Sequence, residues 1–352
     1  MPQSTHLEIV DSETLYVPEP ACDASDLELL SEKARQLPHS FTNLPDVPSS
    51  RTLVERCKAL TPEFKLLLGK LELPMVGSSN SDDGRWLYEN VRLLHSEHQS
   101  TVEALKPLRR MPHVRTRKGD IIPRALVLAE GFLEACSCQF SEQKFTFFVS
   151  VLQQTTDLVL ELRELWAFPS ALKLVLLERI VAGEKQSLGG FGSASTNIGN
   201  CVRSLRDIGH TSWKEVIEPL IVFDYVLRMD PANCYALMDF ESRDRYRNKL
   251  ADIAEHSGRT EMEIAHAALD LAQAAAMKTY SDSRVALRES HCGYYLVDDG
   301  VPLLNAKVGF KYPLAKKVQT KLREYPDQWF LLGIGSLTYA IVFATAVLTG
   351  DV

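Results

Sequence analysis

Residues 329–348, WFLLGIGSLTYAIVFATAVL, contain no charged side chain, and their only polar members are Ser336, Thr338, Tyr339 and Thr345. As a helix rising roughly 1.5 Å per residue, the run would be about 30 Å long, the thickness of a bilayer's hydrocarbon core. Hydroxyl side chains are tolerated there because they bond back to the helix's own carbonyls. The stretch therefore predicts a C-terminal transmembrane helix over 329–348, with Trp329 at the membrane interface. A buried core helix is the competing reading.

The residues before that run point the same way. Between Val301 and Asp327 lie Lys307, Lys311, Lys316, Lys317, Lys321 and Arg323, against only Glu324 and Asp327. Leu314, Val318, Leu322 and Tyr325 fall at helical spacing among these cations, as in a helix lying on an anionic leaflet. Cationic flanks stay in the cytoplasm, so the expectation is a basic juxtamembrane segment over 301–327, residues 1–327 cytoplasmic, and membrane lipid as a partner.

The body has the balance of a globular protein, with 45% hydrophobic and 24% charged residues. A net charge of −7 gives no global basis for binding nucleic acid. Seven cysteines, thinly spread, do not form a disulfide framework and fit a reducing compartment. Residues 1–50 are rich in Pro, Ser and acidic side chains and read as a loosely ordered arm with one short helix over Ser25–Gln36.

From residue 51 to about 300, helical signals follow one another. Apolar positions recur at helical spacing over 51–71 and 85–105. Pro123 opens a helix to about Ala135, Ser141 a helix through Leu160, and Leu162–Val181 is too apolar to face water. That last pair is expected to form the centre of the core. Ser212 with Glu215 predicts a capping box for Trp213–Met229, and Thr260 with Glu263 another for a helix to Lys278. Asp239 is placed to cap a helix that Gly258 closes. The class expected is all-α, a multi-helix bundle over 51–300.

Candidate chemistry is sparse. Asp82-Asp83 sits before a helix, where an acidic cap is the ordinary role. The run 189–192, Gly-Gly-Phe-Gly, follows a helix and lacks the Gly-Lys-Ser/Thr ending of a phosphate loop. Cys136-x-Cys138 has no second pair at zinc spacing, and His95 and His98 have no partner carboxylate. No catalytic, cofactor or metal residue is assigned.

The segment 230–258, DPANCYALMDFESRDRYRNKLADIAEHSG, resembles a segment of the bacterial cyclic β-1,2-glucan synthases. Three other stretches are similar in the same order: WLYENVRLLHSEH (86–98), ELWAFPSALKLVLLERI (164–180) and SHCGYYLVDDG (290–300). The resemblance makes Asp239, Arg243, Asp244, Arg245, Tyr246, Arg247, Gly293, Tyr294 and Tyr295 signature residues. It implies the N-terminal, membrane-proximal scaffold part of an inner-membrane glycosyltransferase. The full-length enzyme would use UDP-glucose and a divalent metal, with the downstream glycosyltransferase region and glucan as partners. The Gln-x-x-Arg-Trp element expected of such an enzyme is missing here, so no catalytic role carries over. A second reading is a self-standing membrane-anchored helical adaptor without activity.

Overall fold

The computed structural model describes residues 24–44, 51–72, 82–105, 111–155, 158–188, 198–311, 330–331 and 334–341. They fall into two compact units, Met1–Arg228 and Met229–Val352. Helices dominate both, as the apolar periodicity predicts.

In the first unit the helices are α1 (Ala24–Gln36), α2 (Arg51–Glu72), α3 (Asp82–Glu89), α4 (Val91–Leu105), α5 (Arg124–Ala135), α6 (Glu142–Thr155), α7 (Leu162–Leu188), α8 (Ile198–His210), α9 (Trp213–Ile217) and α10 (Asp224–Arg228). The axis of the unit is α7, packed against α2, α4, α5 and α8. Its Leu165, Leu172, Leu176 and Ile180 are all buried, as expected of a helix too apolar to face water. An aromatic cluster of Phe132, Phe140, Phe145, Phe148, Phe168 and Trp213 fills the space between α5, α6 and α7. Each buried phenylalanine of the cluster contributes about 1.5–3 kcal/mol through removal from water.

Charges reinforce this packing where helices meet. Arg124 donates through Nε to Glu164 Oε1 at 2.8 Å and through Nη2 to Oε2, and Glu164 is fully buried. Arg56 of α2 bridges Glu178 of α7 at 2.5 Å and Glu130 of α5 at 2.8 Å.

Three short strands, β1 (Phe41–Leu44), β2 (His113–Thr116) and β3 (Ile121–Pro123), form an antiparallel sheet in that order. Phe41 pairs with Thr116 and Leu44 with His113, while His113 pairs with Pro123. Gly119, at φ 93°, makes the β2–β3 turn. The sequence reading contained no strand, because four-residue strands are too short to show alternation.

The second unit contains α11 (Phe240–Ser257), α12 (Glu261–Ala276), α13 (Ser283–Glu289), α14 (Cys292–Val297) and α15 (Val301–Val308). Here local signals act as read. Asp239 accepts from Ser242 N at 2.7 Å, Gly258 closes α11 at φ 68°, and Thr260 and Glu263 form both halves of a capping box. The box expected at Ser212 does not form, since that side chain makes no cap hydrogen bond. Pro219 follows soon after, and the expected helix to Met229 is instead α9, a 3-10 turn and α10.

The transmembrane helix expected over 329–348 is overturned. Among the described residues no helix is long and apolar enough to cross a membrane. Residues 330–331 and 334–341 are helical. The expected interface residues Lys316, Lys317, Lys321, Arg323 and Trp329 lie outside the described residues.

Candidate functional site

The most organised polar cluster lies in the second unit, at a turn that starts with Asp230-Pro231. Asp residues accept hydrogen bonds from backbone N–H groups just ahead of them, which closes such turns. Asp230 Oδ2 accepts from Cys234 N at 3.1 Å and Tyr235 N at 3.4 Å, and the turn is completed by Asn233 in a left-handed conformation. The same carboxylate receives His291 Nδ1–H at 2.7 Å on Oδ2 and the Cys292 N–H at 2.8 Å on Oδ1. It thus seals the start of α14 while holding the 230–235 turn. At 1% exposure it is a charge that only this set of donors makes tolerable.

The electrostatics follow from that geometry. Burial opposes ionisation of Asp230, but the hydrogen bonds from His291, Cys292 N and Cys234 N outweigh it and hold the carboxyl below its ordinary value. The Cys292 thiol is pushed up by burial and by the adjacent Asp230 charge, so it stays protonated. With Nδ1 donating to Asp230, the His291 ring turns its Nε2 toward Tyr246 Oη, 3.5 Å away. Burial, with the nearby Asp230 charge, pushes the Tyr246 phenol up, which removes it as a base or nucleophile. Tyr246 also leans on Tyr235 and on the His291 ring, with centroids 6.1 and 5.8 Å apart.

Gly293 is dictated by this contact. A Cβ there would lie 2.5 Å from His291 Nε2 and 2.6 Å from Tyr246 Oη. Only glycine lets α14 approach α11 so closely.

Asp230, His291 and Cys292 present one donor atom each within 4.8 Å of one another. That spacing could suit a cation, but the Asp230 carboxylate is already saturated by backbone and imidazole donors, and the Cys292 thiol is held protonated. The cluster acts as a tertiary clasp. The second such group, Asp252, Glu255 and His256, lies on one helix face. There His256 donates to the Asp252 carbonyl at 2.7 Å and leans on Phe310 with ring centroids 5.5 Å apart, ordinary helix-surface roles.

The signature residues divide. Tyr246 and Gly293 meet in the clasp, with Tyr294 and Tyr295 next to Gly293 in α14, packed edge-to-face at 5.1 Å. Arg288 lies over the Tyr294 ring and grips Asp298 with two hydrogen bonds of 2.9 and 2.8 Å. Arg247 is fully buried over Phe240. Arg243 donates to the Met238 carbonyl ahead of its helix, Asp244 accepts from Asn248 at 2.8 Å, and Arg245 is exposed. Asp239 is a cap. The charge cluster is thus several structural devices rather than one site.

Other sequence candidates separate. His95 is exposed, whereas His98 stacks on Phe64 at 4.7 Å and its ring is kept toward the neutral form by burial and by His95 and Lys65. Asp82 and Asp83 open α3. Residues 189–192 lie outside the described residues. Asp230 and His291 were not singled out from sequence. The available signal was an acidic residue opening a Pro-Ala-Asn turn, but its partner lies 61 residues away.

No family model matches the chain. Over 156 residues, 44% of its length, the chain is 27% identical to the cyclic β-(1,2)-glucan synthase NdvB of Rhizobium meliloti. The match covers 5% of that much longer protein.

Proposed function

We propose that this chain is a helical, non-catalytic module of a cyclic β-1,2-glucan synthase-type glycosyltransferase, one that positions the catalytic region rather than turning over sugar. The similarity to a glucan synthase over 156 residues carries this reading. Two of the family-like stretches, 230–258 and 290–300, are also joined by the Asp230–His291 clasp. The clasp spends its polar groups internally, as suits a positioning element better than a reaction centre. UDP-glucose and the divalent metal are assigned to the downstream glycosyltransferase region, and glucan to the same assembly. The cations Lys316, Lys317, Lys321 and Arg323 give the sequence a means of resting against an anionic leaflet at the bacterial inner membrane.

The test is complementation. A cyclic β-1,2-glucan synthase lacking the region similar to this chain is co-expressed with the chain, and labelled glucan made from UDP-glucose by membranes is measured. Restored synthesis with the wild-type chain, and none with Asp230→Ala, is expected. Equal synthesis with and without the chain overturns the reading, as does incorporation by the purified chain alone above a heat-killed control.

A further inference from the structure

The turn after α5 brings two thiols and a guanidinium together. Ser137 and Cys138 both adopt left-handed backbone conformations, at φ 49° and 58°. The turn is strapped to α8 on either side of Cys201. Ser204 Oγ donates to the Cys138 carbonyl at 2.5 Å and receives Phe140 N–H at 2.8 Å, while Asn200 Nδ2 reaches the Ser137 carbonyl at 3.4 Å. Between those two straps α8 carries Cys201, whose side chain is paired with that of Cys138. From α7, Arg179 Nη1 donates to Cys138 Sγ at 2.8 Å, its other amino group facing the Glu130 carbonyl at 3.5 Å.

We propose that Cys138 is a thiolate poised for oxidation by peroxides, and that Cys201 resolves its oxidised form into an intramolecular disulfide. A guanidinium donating to one sulfur of a neighbouring thiol pair is an arrangement that stabilises S⁻ on that sulfur. Exposure sets the order of events, since Cys138 is 6% exposed and Cys201 is fully buried.

The other thiols supply the contrast. Burial pushes Cys57 up to about 11 and Cys136 up to about 12. Cys138 is lowered to about 6 by the Cys201 hydrogen bond and Arg179, against the opposing effect of burial.

In the first step the Cys138 thiolate attacks the terminal oxygen of a hydroperoxide. An S–O bond forms, the O–O bond breaks, and the leaving alkoxide or hydroxide takes a proton from solvent. Sulfur loses two electrons and the peroxide gains them, leaving a sulfenic acid on Cys138. The Cys201 sulfur then attacks the Cys138 sulfur; the S–S bond forms, the S–O bond breaks, and hydroxide departs with the Cys201 proton as water.

Stabilising the thiolate raises its population but lowers its intrinsic nucleophilicity, so the two effects oppose one another in the rate. The decisive readouts are therefore the identity of the bond and the pH midpoint, not the rate. The reduced full-length chain is treated with hydrogen peroxide, alkylated under denaturing conditions and mapped without reduction. The expected result is a mass loss of two hydrogen atoms and a Cys138–Cys201 cross-linked peptide, with Cys57, Cys136 and Cys292 alkylated. In Cys201→Ser, Cys138 should instead keep one added oxygen that reacts with a sulfenic acid probe. In Arg179→Gln, the pH midpoint of Cys138 alkylation should move up by about one unit or more. Should either variant fail to fold, the wild-type cross-link map alone decides. A cross-link between any other pair, or an unmodified Cys138, overturns the proposal.

Discussion

Asp230 and His291 are 61 residues apart in the chain and 2.7 Å apart in space, and their contact joins the turn before α11 to the start of α14. Everything else in the clasp depends on this pair. The ring orientation set by Asp230 brings Nε2 against Tyr246, and Gly293 is small because both crowd its α-carbon.

Asp230→Ala leaves two turn N–H groups, the Cys292 N–H and an imidazole without their acceptor. Thermal or urea unfolding should show a loss of about 3 kcal/mol, the scale for breaking a buried charged network. His291→Ala should cost less, since the backbone donors keep their carboxylate. Equal melting of Asp230→Ala and wild type would dismiss the clasp.

The same carboxylate predicts a pH dependence. Its folded-state value lies below its unfolded one. Its contribution is therefore fully present above about pH 4, the ordinary range of an aspartate, and is lost as pH falls through the folded value. The stability of wild type relative to Asp230→Asn should shrink as pH falls below about 4. A difference that grows as pH falls below about 4 would contradict the assignment.

Gly293→Ala places a methyl group within contact of two rings and should destabilise by about 1–3 kcal/mol, as overpacking does. Tyr246→Ala in the same chain removes one of the two obstructions, so the double variant should lose less than the sum of the single losses. Additive losses in a double-mutant cycle would mean that α14 relaxes away from α11.

The arginines of α11 should separate by burial. Arg247→Ala should be the most damaging, because a fully buried side chain and its packing against Phe240 are removed. Arg243→Ala should cost about 1 kcal/mol through its hydrogen bond to the Met238 carbonyl. Arg245→Ala, exposed, should stay within about 0.5 kcal/mol of wild type. A melting series in which Arg245 outranks Arg247 would reverse this order.

In the first unit, Glu164→Ala should cost about 3–5 kcal/mol by leaving Arg124 buried without its counter-charge. The double replacement Arg124→Met with Glu164→Met should recover most of that loss, because two apolar side chains fill the space without desolvated charge. Failure of the double variant to recover would assign the pair a role in directing the fold.

Local devices were legible in the sequence. The Asp239 cap, the Gly258 stop, the Thr260–Glu263 box and the apolar face of α7 each rest on neighbours within one or two turns. Helix α8 escaped notice although Ile198, Cys201, Val202, Leu205 and Ile208 keep helical spacing. The residues it buries besides these, Gly199, Asn200 and Ser204, have the composition of a loop. The charge-free run at 329–348 was over-read: composition reports what a segment avoids, and no helix among the described residues is long and apolar enough to cross a membrane. The clasp was not legible at all. It depends on which turn meets which helix, and no spacing within one stretch encodes that.

The register of β1 has a kinetic consequence. Strands β2 and β3 close over a short turn at Gly119, a local event completed within about 1–10 μs in isolated hairpins. Strand β1 reaches the same sheet only by pairing Phe41 with Thr116, with α2, α3 and α4 lying between them in the chain. The loop-closure entropy of that pairing falls once those helices have packed and shortened the tether. The hairpin is thus the template, and β1 the late arrival whose docking reports that the first unit has reached its native arrangement.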